Sequence, residues 1–209
     1  MSRTQGNGAT HNMRIISGSA RGRRLKGPPS HDTRPMTDKL KGAVFNSLAS
    51  LEVQPENVLD LFAGTGAIGI EALSRGASHA DFVDMGREQC AVIRQNLDTT
   101  GFDRLSAVHQ MSVSTFIERA HQSYDFIVMD PPYADPEIIP TLEKLAASRL
   151  VQSGTIIVLG HSKRVNPPAQ TGRLEALRQR CHGDTCFSIY EVLDEAEDPA
   201  QSAGNEVTG

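Results

Sequence analysis

The residues best suited to chemistry in this sequence are Asp130-Pro131-Pro132-Tyr133, which end the apolar run Tyr124-Asp125-Phe126-Ile127-Val128-Met129. Consecutive prolines cannot donate ladder hydrogen bonds, so a strand through that run must stop at Pro131. Their fixed backbone presents a carboxylate, a carbonyl and an aromatic ring at the strand's carboxyl end, the edge where open parallel sheets bind ligands. Such a group suits the amino group of a flat base. The Asp130 carboxylate and the Pro131 carbonyl can accept the two hydrogens of an exocyclic amine. That orients the nitrogen for attack on a methyl group and stabilises the positive charge it develops. Tyr133 would stack on the base, a contact of ~1–3 kcal/mol. A base inside a helix would first have to be extruded. Without a nucleotide site nearby, the same residues would be only a strand-ending turn.

Gly64-Thr65-Gly66-Ala67-Ile68-Gly69 provides that site. It fits G-x-G-x-x-G between a strand and a helix, where glycine admits a ligand close to the backbone and the helix start offers free N–H groups. Asp84 follows Gly64 by twenty residues, at the end of the next strand, where a carboxylate can accept both ribose hydroxyls. The spacing alone leaves a dinucleotide and S-adenosylmethionine both open. Asp60, on the strand tip before the loop, would oppose a pyrophosphate and suits a ligand carrying an ammonium and a sulfonium. Asp130-Pro-Pro-Tyr133 favours the same choice.

The elements that position these residues alternate. Strands are expected at 58–62, 80–84, 106–109, 124–129 and 155–159, with helices between them, giving a mostly parallel sheet covered on both faces. Two further strands at about 173–181 and 186–193 turn at Gly183-Asp184 and close the sheet as an antiparallel pair. Ahead of this unit, 13–18 and 22–26 read as a small basic hairpin. Thr37 N-caps a helix with Leu40, Val44, Phe45 and Leu48 on one face, and Lys39 and Lys41 elsewhere. The expected organisation is a disordered start over 1–12, a basic hairpin and helix over 13–50, the nucleotide-binding domain over 51–193, and an acidic disordered tail over 194–209.

The net charge of −4 hides an asymmetry. Residues 1–49 hold nine Lys and Arg against Asp32 and Asp38, or +7, which leaves −11 for the rest. A basic arm on an acidic body points to a polyanionic partner. No run approaches the ~20 apolar residues of a membrane span, and the start lacks a secretory h-region. Cys90, Cys181 and Cys186 make an odd number, so a disulfide framework is not expected and a cytoplasmic location is. Cys181, His182 and Cys186 are too few ligands for a metal site.

Residues 58–77, VLDLFAGTGAIGIEALSRGA, closely resemble the RsmD family, S-adenosylmethionine-dependent methyltransferases acting on guanine N2 of bacterial small-subunit ribosomal RNA. Thr33-Arg34-Pro35-Met36-Thr37-Asp38, Phe45-Asn46, Asp130-Pro131-Pro132-Tyr133 and Gly183-Asp184-Thr185 match in the family's order, so the similarity covers about 13–193. The resemblance implies a Rossmann-like class I methyltransferase fold of seven strands with an antiparallel final pair and the basic hairpin as an extension. It implies Asp60, Ala63, Gly64 and Gly66 around the methionine end of S-adenosylmethionine, Asp84 at the ribose, and Ser112 where the family usually has an acid. Asp130, Pro131 and Tyr133 would hold the target amine. Arg34 and Thr37 would border the site, and Arg14, Arg21, Arg23, Arg24 and Lys26 would grip RNA. The implied reaction leaves S-adenosylhomocysteine and needs no metal; the implied partner is ribosomal RNA or an assembling subunit, met by a monomer. The chain departs from the pattern at Met85-Gly86, Ser112 and Gly160-His161. An adenine-N6 DNA methyltransferase, which usually carries an extra recognition domain, and a non-catalytic nucleotide- or RNA-binding module are the alternatives.

Overall fold

The computed structural model describes residues 13–29, 38–132 and 135–194. The expectations for Arg34, Thr37, Tyr133, the start 1–12 and the tail beyond Asp194 lie outside the described residues. In chain order the elements are α1 (Asp38–Ser50), β1 (Asn57–Leu61), α2 (Ala67–Ser74), β2 (His79–Asp84), α3 (Arg87–Thr100) and β3 (Ser106–Gln110). Then come α4 (Val113–Arg119), β4 (Phe126–Met129), α5 (Ile138–Ala146), β5 (Ile156–Ser162), β6 (Gln170–Thr171), β7 (Leu174–His182) and β8 (Thr185–Val192).

The strands form one sheet in the order β3-β2-β1-β4-β5-β8-β7-β6. The first five are parallel, and β8, β7 and β6 join antiparallel. The expected seven strands are all present; β6, two residues long, adds an eighth at the edge. Successive connections run outward from β1 on one side and from β4 on the other, so the topological switch lies between them. Ligands bind there in open α/β sheets. The central strands are buried on both faces, which explains why β4 reads as an unbroken apolar run, Phe126-Ile127-Val128-Met129. One face packs on α1, α2, α3 and the N-terminal arm; the other packs on α4 and α5.

Three details differ from the sequence reading. The basic hairpin is reduced to one antiparallel bridge, Arg14 opposite Arg24. Its two arms are still joined by backbone hydrogen bonds, from the N–H of Ile15 to the Arg23 carbonyl, of Gly22 to the Ile15 carbonyl and of Leu25 to the Met13 carbonyl, while the N–H groups of Ile16 and Ser17 donate to the two carboxylate oxygens of Glu71 on α2, at 2.8 and 2.9 Å. Lys41, expected off the apolar face of α1, is 1% exposed. Its ammonium lies 3.2 Å from Glu71 and donates to the Arg14 carbonyl at 2.7 Å. A buried carboxylate needs such a partner. Finally, Cys181 and Cys186 are joined in a disulfide. The β7–β8 hairpin puts them directly opposite one another, with Cα atoms 4.0 Å apart. Spacing alone could not show that register. The link is local, five residues apart in sequence, while Cys90 is buried and free.

Candidate active site at the carboxyl edge of the sheet

Asp60, Asp84 and Asp130 stand at the carboxyl ends of β1, β2 and β4, which are neighbours in the sheet. The chain leaves β1 through a tight turn in which Phe62, Gly64 and Gly66 all have positive φ, 57°, 57° and 73°. Gly64 and Gly66 adopt this backbone readily; Phe62 does so against its usual preference. The N–H of Gly66 donates to the Ala63 carbonyl at 2.7 Å, and that of Ala63 to the Val83 carbonyl at 3.1 Å. The loop is thereby tied to β2 before α2 begins.

Asp84 braces the same loop. One of its oxygens accepts from the N–H of Gly64 at 2.9 Å, the other from the N–H of Gly86 at 2.8 Å. Asp60 lies 3% exposed, and one oxygen accepts from the N–H of Gly69 at 2.9 Å. Gly69 permits this approach: a Cβ there would stand 2.4 Å from the Phe82 ring and 3.2 Å from the Asp60 carboxylate. Asp130 contrasts with both. Its Oδ1 is shut off from solvent and has no hydrogen-bond partner among the described residues. Gly160 on β5 makes room for it, since a Cβ at Gly160 would sit 2.1 Å from that oxygen.

These surroundings set the charges. Burial pushes the Asp60 carboxyl up to about 8; the Gly69 N–H opposes the rise, while the nearby Asp130 and Asp84 charges add to it. Burial alone pushes Asp130 up to about 7. Among the described residues, no cation pairs with the three acids Asp60, Asp84 and Asp130. Such a site repels a pyrophosphate and favours a positively charged ligand.

Ser112 reaches the same edge at the end of β3, where its hydroxyl caps α4 by accepting from the N–H of Thr115 at 3.1 Å. The basic residues divide. Arg14, Arg21, Arg23, Arg24 and Lys26 are all exposed. Arg14 lies 3.7 Å from Asp38 at the start of α1, whereas Arg23 donates to the Thr99 carbonyl and Lys26 to Gln95, both on α3. They flank the arm rather than form one cluster.

Four contributors escaped the sequence reading. Glu71 and Ser74 on α2 hold the arm: the Ser74 hydroxyl donates to the Ser17 carbonyl at 2.6 Å and accepts from the N–H of Ala20 at 2.9 Å. Asn96 on α3 bonds both the N–H and the carbonyl of Lys26, and also the Thr65 carbonyl of the glycine loop. Met85, 76% exposed beside Asp84, offers an apolar surface at the same edge. An acid inside the apolar stretch Ile70–Leu73 was the available signal for Glu71; nothing local marks Asn96.

The strand order and the glycine turn with acids at neighbouring strand tips define a Rossmann-like α/β fold of the methyltransferase class. The chain belongs to the family whose model, described as conserved hypothetical protein 95, matches residues 13–191. It is 33% identical over 194 residues to ribosomal RNA small subunit methyltransferase D of Haemophilus influenzae, covering 91% of this chain and 100% of that one. To the Escherichia coli (strain K12) protein of the same name it is 29% identical over 188 residues, covering 90% and 94%. A solved hypothetical protein of Thermus thermophilus superimposes with a TM-score of 0.74 at 32% identity, over 86% of this chain and 99% of that one.

Proposed function

We propose that this chain transfers a methyl group from S-adenosylmethionine to the exocyclic N2 amine of a guanine in small-subunit ribosomal RNA. The observation that carries the reading is the Asp130 Oδ1, buried near two further carboxyls at the switch point with no hydrogen-bond partner among the described residues. The relatives named as ribosomal RNA methyltransferases support the choice of RNA.

When bound, S-adenosylmethionine supplies an electrophilic methyl group. Asp60 and the turn Ala63–Gly66 face its amino-acid end and Asp84 its ribose, with Met85 offering apolar surface to the adenine. Asp130 and the Pro131 carbonyl accept the N–H hydrogens of the guanine amine and hold its nitrogen toward the methyl. The carboxylate stabilises the charge that develops on nitrogen, and most of the remaining acceleration is positioning. Tyr133 stacks on the base. The arm binds RNA as a polyanion, and the setting is the cytoplasm, where ribosomal RNA is made.

Calorimetric titration of the purified chain with S-adenosylmethionine and with NAD tests the cofactor. Binding of S-adenosylmethionine, and of its product S-adenosylhomocysteine, is expected. Binding of NAD alone would end the proposal.

A further inference from the structure

The sequence of β7, Leu174-Glu-Ala-Leu-Arg-Gln-Arg-Cys-His182, would leave its arginines on the wrong side if it ran as an uninterrupted strand. Leu174 and Ala176 pair with Val192 and Tyr190, whose side chains belong to the core under α4 and α5. With strict alternation Arg178 and Arg180 would face that same side. The ladder instead shifts between Ala176 and Arg178, leaving Leu177 as the extra residue. Arg178 and Arg180 therefore pair with Ile189 and Phe187, which belong to the core under α1. A bulge of this kind re-aims side chains.

The result is a groove of about 390 Å³ between α1 and β7. Lys39 and Asn46 line one wall, Arg178, Arg180 and His182 the other. None of its lining residues is a carboxylate, and Lys39, Arg178 and Arg180 make no ion pair among the described residues. Arg178 donates to the Ser50 hydroxyl at the end of α1, at 2.6 Å, and Arg180 to the Gln179 carbonyl. Both guanidinium groups keep further donors. The acids of this strand face, Glu175 opposite Glu191, lie at the other end of β7, so positive charge is gathered toward the sheet's carboxyl edge.

The register ties this groove to the reacting position. Gly160, which makes room for Asp130, pairs with Phe187, and Phe187 pairs with Arg180. Asp130, Gly160, Phe187 and Arg180 thus form one row across four neighbouring strands, about 14 Å from end to end at the usual strand spacing. A base held at Asp130 leaves its flanking backbone to be held nearby. Basic side chains without acidic partners match phosphate in charge, and arginine matches it in geometry.

We propose that the α1–β7 groove seats the phosphate backbone flanking the target nucleotide, a second RNA contact separate from the N-terminal arm and on the other side of α1. The inference rests on the RNA methyltransferase reading. Its test uses the full chain, labelled S-adenosylmethionine and transcribed small-subunit RNA, with Arg180→Glu and Lys39→Glu made singly. Arg149→Glu, an exposed residue at the opposite sheet edge, serves as the control. Each groove variant is expected to raise the RNA KM roughly tenfold with kcat within about twofold, and to lower the slope of log KM against log salt by about one. Arg180→Lys should recover most of the affinity, and S-adenosylmethionine affinity should not move. An unchanged KM and salt slope in an active enzyme overturn the groove alone. Normal use of naked RNA with failure only on assembled subunits would assign the groove to a ribosomal protein and overturn it too. If the wild-type chain binds RNA but methylates neither naked RNA nor assembled small subunits, the enzymatic reading fails. A weaker, flatter binding curve for Arg180→Glu would then still support the groove.

Discussion

Asp130 gives the sharpest predictions at the scale of single residues. Its Oδ1 is buried with no hydrogen-bond partner among the described residues, an arrangement that destabilises the free protein. Asp130→Asn should reduce kcat at least a hundredfold, about 3 kcal/mol, while S-adenosylmethionine affinity stays within a few-fold. The same variant should stabilise the free protein near pH 8 by on the order of 1 kcal/mol, read as a higher Tm, because the amide removes a buried charge. Loss of cofactor binding would mean that Asp130 serves a different role. Gly160→Ala is the complementary change. Its methyl would collide with the Asp130 carboxylate, so kcat should fall more than tenfold with the fold intact. The Asp130 motif was legible in sequence because prolines and an acid beside an apolar run have few other uses. The space that Gly160 leaves was not, since it depends on the pairing of β4 with β5.

At the scale of elements, the arm and the cofactor loop are one construction. Glu71 lies on the helix that the glycine turn begins, and it ties down Ile16, Ser17, Lys41 and Arg75 at once. Glu71→Ala would leave Lys41 buried with only Asp38, 3.9 Å away, as counter-charge. It should cost about 3–5 kcal/mol in chemical unfolding; Glu71→Gln with Lys41→Met should cost much less. Equal losses would show that packing rather than charge is the cause. Reversing Arg21, Arg23 and Arg24 to Glu should weaken RNA binding and flatten its salt dependence, as measured by filter binding across a salt series. Unchanged binding would remove the arm from the RNA interface. The alternating strands and helices were legible because each carries its own periodicity. The docking of the arm on α2 was not, because it depends on Glu71, 55 positions away. The β7 bulge and the Cys181–Cys186 link escaped for the same reason: both are properties of register.

Across the whole molecule, the converging acids make cofactor binding and stability depend on pH in opposite senses. Folding raises the carboxyls of Asp60 and Asp130 to about 8 and about 7, above their ordinary values. Between pH ~4 and ~8 the native state therefore holds more protons than the unfolded chain, and these groups lower stability as pH rises through that window. A cationic ligand favours the ionised acids. S-adenosylmethionine binding should release protons, with affinity climbing from pH 6 to about 8 and then levelling. Calorimetry in buffers of different ionisation enthalpy reads the proton release directly; proton uptake would contradict the electrostatic account. The choice of guanine over adenine lies deeper than the fold, since both bases carry an exocyclic amine that Asp130 and Pro131 can hold. The most direct measurement is to incubate the full chain with labelled S-adenosylmethionine and, in parallel, small-subunit RNA and assembled small subunits from cells lacking this gene, digest the RNA, and separate the nucleosides. Label in N2-methylguanosine, lost in Asp130→Asn, is the predicted result; label in N6-methyladenosine, or in no nucleoside, would contradict it.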